Sequence, residues 1–196
     1  MSPRKSEIIQ TACQLFLAKG YASTTMQDIM KSLDVAKGTI YHYFESKEAI
    51  LEAVLDEMVG TMTEKMQKIH VQGNALEKMR ALIEAGNVAG DELIQHLHRP
   101  GNEMLHTRLL AKVVLRQAPI YAQLIEEGCK EGIFDTTAPL EYAEWLLAGI
   151  QFLVDMGIYP WSPNDLKRRI EAFPKLIEQH LHAPSGSFDF LIALFR

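Results

Sequence analysis

Residues 25–44 read TMQDIMKSLDVAKGTIYHYF, and this stretch decides the fold. Its spacing predicts two short helices joined by a tight turn. Thr25 is placed to cap the first helix, with Asp28 three residues on, near the positive helix end. Met26, Ile29, Met30 and Leu33 recur at helical spacing and give that helix one apolar face. The second helix starts near Ala36 or Lys37 and is too short to be stable alone. Ile40 and Phe44 are four apart, so they share a face and point inward. Lys37, Gly38, Thr39, Tyr41, His42 and Tyr43 are left near the outer surface. A cation, a hydroxyl, backbone exposed at glycine and three polar-tipped rings suit a DNA groove. Such groups meet base edges and phosphates.

Outward from this stretch, the flanking sequence supplies support. Ser2 and Pro3 are a good N-cap and first helical residue. Ile8, Ala12, Leu15 and Phe16 form one stripe, and Gly20 ends the helix at an expected left-handed position. On the other side, Ser46 caps a helix from Lys47 to about Ile69. Ile50, Val54, Met58, Met62, Met66 and Ile69 recur along it every three or four residues. At 1.5 Å per residue it runs roughly 35 Å, long enough to join a small head to a larger body.

TTMQDIM, LDVAKGTIYHYF and ESKEAIL together resemble the helix-turn-helix of the TetR family of bacterial transcriptional regulators. The resemblance covers about the first quarter of the chain. Where the family commonly has two aromatic residues and then histidine, the order here is Tyr41, His42, Tyr43. The resemblance implies that Lys37, Thr39, Tyr41 and His42 reach the major groove or its edges, with Gly38 also in the DNA-binding surface. It implies that Thr25, Tyr43 and Lys47 mainly hold phosphates of a double-stranded operator. It also implies an all-α protein: a three-helix head at 2–62, with the helix-turn-helix at 25–44, and a helical effector-binding and dimerisation body at 63–196. Transcriptional regulation by a cytoplasmic homodimer follows from the same likeness, repression ahead of activation.

Charge agrees with a local DNA site. The 196 residues carry a net charge of −5, but residues 1–47 hold six Lys/Arg against four Asp/Glu. No general basic surface supports binding, so it must be confined to the head. Cys13 and Cys129 form no motif, which fits a reduced setting. No signal peptide and no run long enough for a membrane span are visible. The rival classes are a helical enzyme and an interaction module. The chain shows no glycine-rich phosphate loop, nucleophile elbow or paired carboxylates. His96, His98 and His106 lack metal-ligand spacing and straddle a Pro-Gly break, so no metal and no cofactor are expected.

The remainder reads as helices. Gly73-Asn74 is a loop, and Ala85, Gly86, Ala89 and Gly90 weaken the helix that follows or permit close approach. Pro100-Gly101-Asn102 is a break, and Pro119 is expected to start a new helix ending at Gly132. The stretch at about 138–157 is apolar almost all round and must be covered on more than one side. Ser162 to Asp165 form a capping box for a helix at about 163–182, with a kink or break at Pro174. Those two helices are expected to pair with their copies in a dimer. The tail Phe188–Phe195 is expected to pack on its own body. Met58, Met62, Met66, Met79, Met104, Tyr121, Trp145 and Phe152 are the candidates to line an apolar effector cavity.

Overall fold

The computed structural model describes residues 2–86 and 91–194, and every regular element among them is an α-helix. The described chain divides into two units. The first takes the residues up to Thr61 together with the later segment that ends at Lys112. It therefore holds α1 (Pro3–Lys19), α2 (Met26–Leu33), α3 (Lys37–Tyr43), most of α4 (Lys47–Gln67), α6 (Asp91–Leu97) and the start of α7 (Glu103–Lys130). The second holds the end of α4, α5 (Ala75–Gly86), the rest of α7, α8 (Pro139–Leu153), α9 (Pro163–Leu181) and α10 (Phe190–Leu194). A division between residues 62 and 63 is thus incomplete, because α6 and the start of α7 belong with the head. No described helix is long and apolar enough to cross a membrane.

In the first unit, Ser2 accepts from the Lys5 backbone N–H at 3.3 Å, and Pro3 opens α1. Ile8, Ile9, Ala12 and Phe16 bury its inner side. Gly20 has a positive φ of 93° but a ψ of 140°, so it turns the chain outside the left-handed helical region. Ile29 from α2, Ile40 and Phe44 around α3, and Ile50, Leu51, Val54, Leu55 and Val59 from α4 are all buried. With eight and seven residues, α2 and α3 cannot persist alone. Each fully buried Ile or Phe contributes roughly 1.5–3 kcal/mol, and this burial holds both helices. On α4, Leu51, Leu55 and Val59 join the inner face, while Met58 is only half-buried. The helix itself ends at Gln67, two residues before Ile69.

In the second unit, Asn74 caps α5 reciprocally with Glu77: each side chain accepts from the other's backbone N–H, at 3.0 and 2.9 Å. Ala75, Met79, Ala118, Ala122, Ile125, Phe134, Ala143, Ile177, Leu181, Phe188 and Leu191 form one core. The C-terminal tail supplies two of these, so it packs on its own body as expected. A buried Glu178 carboxylate accepts from the Phe188 N–H at 3.1 Å and holds the tail there.

Three further features of the helices differ from the sequence reading. Pro119 lies inside a continuous α7 rather than starting a new helix. Both Pro119 and Leu115, whose carbonyl loses its partner, are exposed, so water can satisfy that carbonyl. Pro174 likewise lies within a continuous α9 with no break, and its ring joins Ile170, Ile177 and Leu181 in the buried stripe. Finally, α8 stops at Leu153, because the Asp155 side chain accepts from the Gly157 and Ile158 N–H groups at 2.8 and 3.2 Å and starts a turn. Ala89 and Gly90 lie outside the described residues.

Candidate nucleic-acid interface

Thr25 and Asp28 build the start of α2. The Thr25 oxygen accepts from the Asp28 N–H at 3.1 Å, while the Thr25 hydroxyl and N–H both donate to Asp28 Oδ2 at 2.8 Å. Lys19 donates to the same oxygen at 2.8 Å. The Lys19 ammonium and then the Thr25 donors hold the Asp28 carboxyl well below the usual carboxylate range. Asp34, in the left-handed conformation at φ 50°, closes α2 and turns the chain toward α3.

On α3, Ile40 is fully buried and the Phe44 side chain follows it inward. Lys37, Gly38, Tyr41 and His42 are exposed, and Thr39 and Tyr43 are half-buried. The Lys37 ammonium lies 5.4 Å from the Tyr41 ring centre, and the His42 and Tyr43 rings meet edge-on at 4.9 Å. Nothing lies within 4 Å of where a Cβ on Gly38 would stand. The outward side of α3 therefore offers a cation, a hydroxyl, an open stretch of backbone and three rings, beginning at a helix N-terminus. This is the chemistry that phosphates and base edges require.

Lys47 is placed differently. Its ammonium donates to the carbonyls of Tyr21 at 2.8 Å, Thr24 at 2.9 Å and Ala22 at 3.5 Å, and it lies 4.3 Å from the Tyr21 ring centre. The proton of Thr25 is likewise taken by Asp28. A phosphate at either side chain would compete with bonds that shape the head.

The sequence profile described as bacterial regulatory proteins, tetR family, matches residues 8–54. A second, described as a tetracyclin repressor-like C-terminal domain, matches residues 86–176. The HTH-type transcriptional repressor KstR2 of Mycolicibacterium smegmatis is 33% identical over 147 residues, covering 67% of this chain and 67% of that protein. The chain belongs to the tetR family. As a tetR-family protein it is a DNA-binding transcriptional regulator, and α2–α3 is its helix-turn-helix. The uncharacterized HTH-type regulator YerO of Bacillus subtilis is 39% identical over 69 residues, which is 35% of this chain but only 24% of YerO. A TetR-family regulator from Pectobacterium atrosepticum shares the fold, with a TM-score of 0.64 at 20% identity over 92% of this chain and 95% of that one.

The candidate effector residues of this tetR-family chain are scattered. Met79 and Tyr121 share the interior of the second unit, where burial pushes the Tyr121 hydroxyl up to about 12. Met66 is buried and Met62 half-buried on α4, and Met58 belongs to the first unit. Met104, Trp145 and Phe152 are exposed, so they are surface side chains rather than cavity walls. For the last two the reason is α8, whose apolar girth turns only Ala143 fully into the core. Trp145 instead lines an open groove of about 300 Å³ with Thr136, Ala138, Glu141, Tyr142 and His180. Sequence reading also separated His98 from His106 across the Pro-Gly break, yet the turn brings their rings to 5.0 Å. It found the break at Pro100-Gly101-Asn102 but missed what the turn holds: Arg99, Gly101 and Asn102 all bond to the end of α1 or the turn after it. No spacing rule signals such a contact across about eighty residues of chain.

Proposed function

We propose that this regulator is a repressor that occupies a palindromic operator as a homodimer and is released by a small, largely apolar ligand. The observation that carries the DNA reading is the outward side of α3: Lys37, Gly38, Tyr41 and His42 exposed opposite a buried Ile40. Lys37, Thr39, Tyr41 and His42 read bases, and the Tyr43 hydroxyl holds a phosphate. Thr25 and Lys47 act by fixing the start of α2 and the turn before it. KstR2 is named a repressor, which supports repression over activation.

The dimer reading rests on α8 and α9. Leu140, Trp145, Phe152 and Leu153 are each more than a third exposed, as is Leu176 on α9. An isologous pairing of these helices would cover that apolar surface and set two reading helices about one DNA turn, roughly 34 Å, apart. For release, the ligand must bind the released form more tightly than the operator-bound one. Met62 and Met66, on the part of α4 that belongs to the second unit, are the proposed sensing contacts, with Met79 and Tyr121 as further lining.

Selection of duplexes from a random pool, followed by a screen of small molecules for release, tests this reading. A two-fold symmetric sequence and an apolar releaser support it. Enrichment of nothing favours an enzyme or interaction module instead.

A further inference from the structure

The turn between α6 and α7 is bonded to the helix-turn-helix, and the bonds are specific. Asn102 is fully buried. Its Oδ1 accepts from the backbone N–H of Tyr21 at 2.8 Å, and its Nδ2 donates to the carbonyl of His96 at 2.9 Å. One partner only donates and the other only accepts, so the amide has a single satisfying orientation. Beside it, the Ala22 N–H donates to the Gly101 carbonyl at 2.9 Å, and Arg99 donates to the Ala18 carbonyl at 3.1 Å. Gly20 sits so close that a Cβ there would stand 3.2 Å from the Pro100 oxygen.

The polar groups of the turn after α1 divide between two grips. Its Tyr21 and Ala22 N–H groups go to the 101–102 corner, while its Tyr21, Ala22 and Thr24 carbonyls go to Lys47. The Thr24 N–H and hydroxyl close back on Gly20, at 3.1 and 2.8 Å. Buried backbone groups must be paired, so the corner is obligatory for the conformation of residues 20–24. Those residues lead directly into Thr25, the N-cap of α2, and α2 sets α3.

We propose that Asn102 is a positioning residue for DNA recognition: through the Tyr21 amide it fixes the aim of α2 and α3, from a site about sixty residues beyond the reading helix. The corner formed by Gly101 and Asn102 is then part of the DNA-binding apparatus. Any change that moves it alters operator recognition without touching a DNA-contacting side chain. This rests on α3 being the reading helix, and the test separates the two ideas.

The probes are a duplex recovered from a random pool by the wild-type chain and a random-sequence duplex of equal length. The variants are Asn102→Ala, Asn102→Ser, whose hydroxyl is too short to reach Tyr21, and Asn102→Asp, which keeps the acceptor and suits the start of α7. In Asn102→Ala and Asn102→Ser the Tyr21 amide should exchange with solvent faster. Affinity for the selected duplex should fall roughly tenfold, in line with orphaning a buried donor, while affinity for the random duplex holds. Asn102→Asp keeps the acceptor for Tyr21 but turns its second oxygen on the His96 carbonyl, so it should recover protection and preference only in part, ahead of Asn102→Ala and Asn102→Ser. The two alanine-like variants differ in severity, so the milder one decides if the other does not fold. A folded Asn102→Ala or Asn102→Ser chain that keeps wild-type preference with a fast-exchanging Tyr21, or that keeps Tyr21 protected, overturns the proposal. Failure of the wild-type chain to enrich any duplex overturns the reading of α3 instead.

Discussion

The Lys47 ammonium lies 2.8 Å from the carbonyl oxygen of Tyr21 and 4.3 Å from the centre of the same residue's ring. One cation thus fixes both the backbone and the side chain of a residue in the turn that leads to α2 and α3. Tyr21 in turn donates its hydroxyl to Glu48, the residue after Lys47, at 3.3 Å. The first turn of α4 and the turn after α1 are tied in both directions.

Removing that cation should act through the shape of the head. Lys47→Ala should destabilise the first unit by about 1–3 kcal/mol, the range for losing hydrogen bonds to a charged group. It should weaken DNA binding while leaving the slope of log affinity against log salt unchanged. Chemical denaturation and a salt titration check the two halves. A slope reduced by about one unit would instead mean that Lys47 neutralises a phosphate.

Gly38 separates stability from binding. A Cβ at this position meets nothing within 4 Å, and alanine favours helix over glycine by about 1 kcal/mol. Gly38→Ala should therefore be as stable as the parent or slightly more so, yet bind DNA at least several-fold more weakly, because the added methyl stands where a groove wall must approach. Thermal melting and DNA titration of one preparation measure both.

The start of α2 should be sensitive to acid. Lys19 and Thr25 favour the ionised form of Asp28, so its folded pKa lies below the ordinary value of 3.8. Its contribution is fully present above that value and is lost only as pH falls below it toward the folded pKa. Asp28→Asn should remove the contribution at pH 7, and the gap between parent and variant should close below about pH 3.8, which denaturation at stepped pH would follow.

Much of the head was legible because its signals are local. The Thr25–Asp28 capping box, the inward pair Ile40 and Phe44, and the exposed Tyr41 all follow from spacing within one or two turns. The α6–α7 corner was legible as a break but its contact with the turn after α1 was not, because the bond between Tyr21 and Asn102 spans 81 positions and leaves no periodic trace. Proline was overread at residue 119, and at residue 174 the chain shows no break. At the first, exposure lets water replace the missing bond; at the second, burial of the ring in a packed stripe sustains the helix. The methionine set is spread over both units since methionine fills core and surface positions alike: Met79 is buried and Met104 half exposed.

The uncovered side of α8 predicts assembly. Trp145 is 53% exposed and stands with Tyr142 and His180, ring centres 5.9 and 5.3 Å away. Trp145→Glu places a charge in the proposed two-fold interface, where an unpaired ion is strongly disfavoured. Sedimentation should show the parent as a dimer at micromolar concentration and the variant shifted to monomer. A parent that sediments as a monomer contradicts the pairing.

The central claim is that α3 reads DNA sequence, and comparing the sites selected by the parent chain with those selected by Tyr41→Ala tests it most directly. The parent should enrich a two-fold symmetric site with half-sites about one DNA turn apart. Tyr41→Ala should lose the base preference at the same position in each half while retaining the symmetry. The claim is contradicted if both proteins enrich the same site with the same affinity.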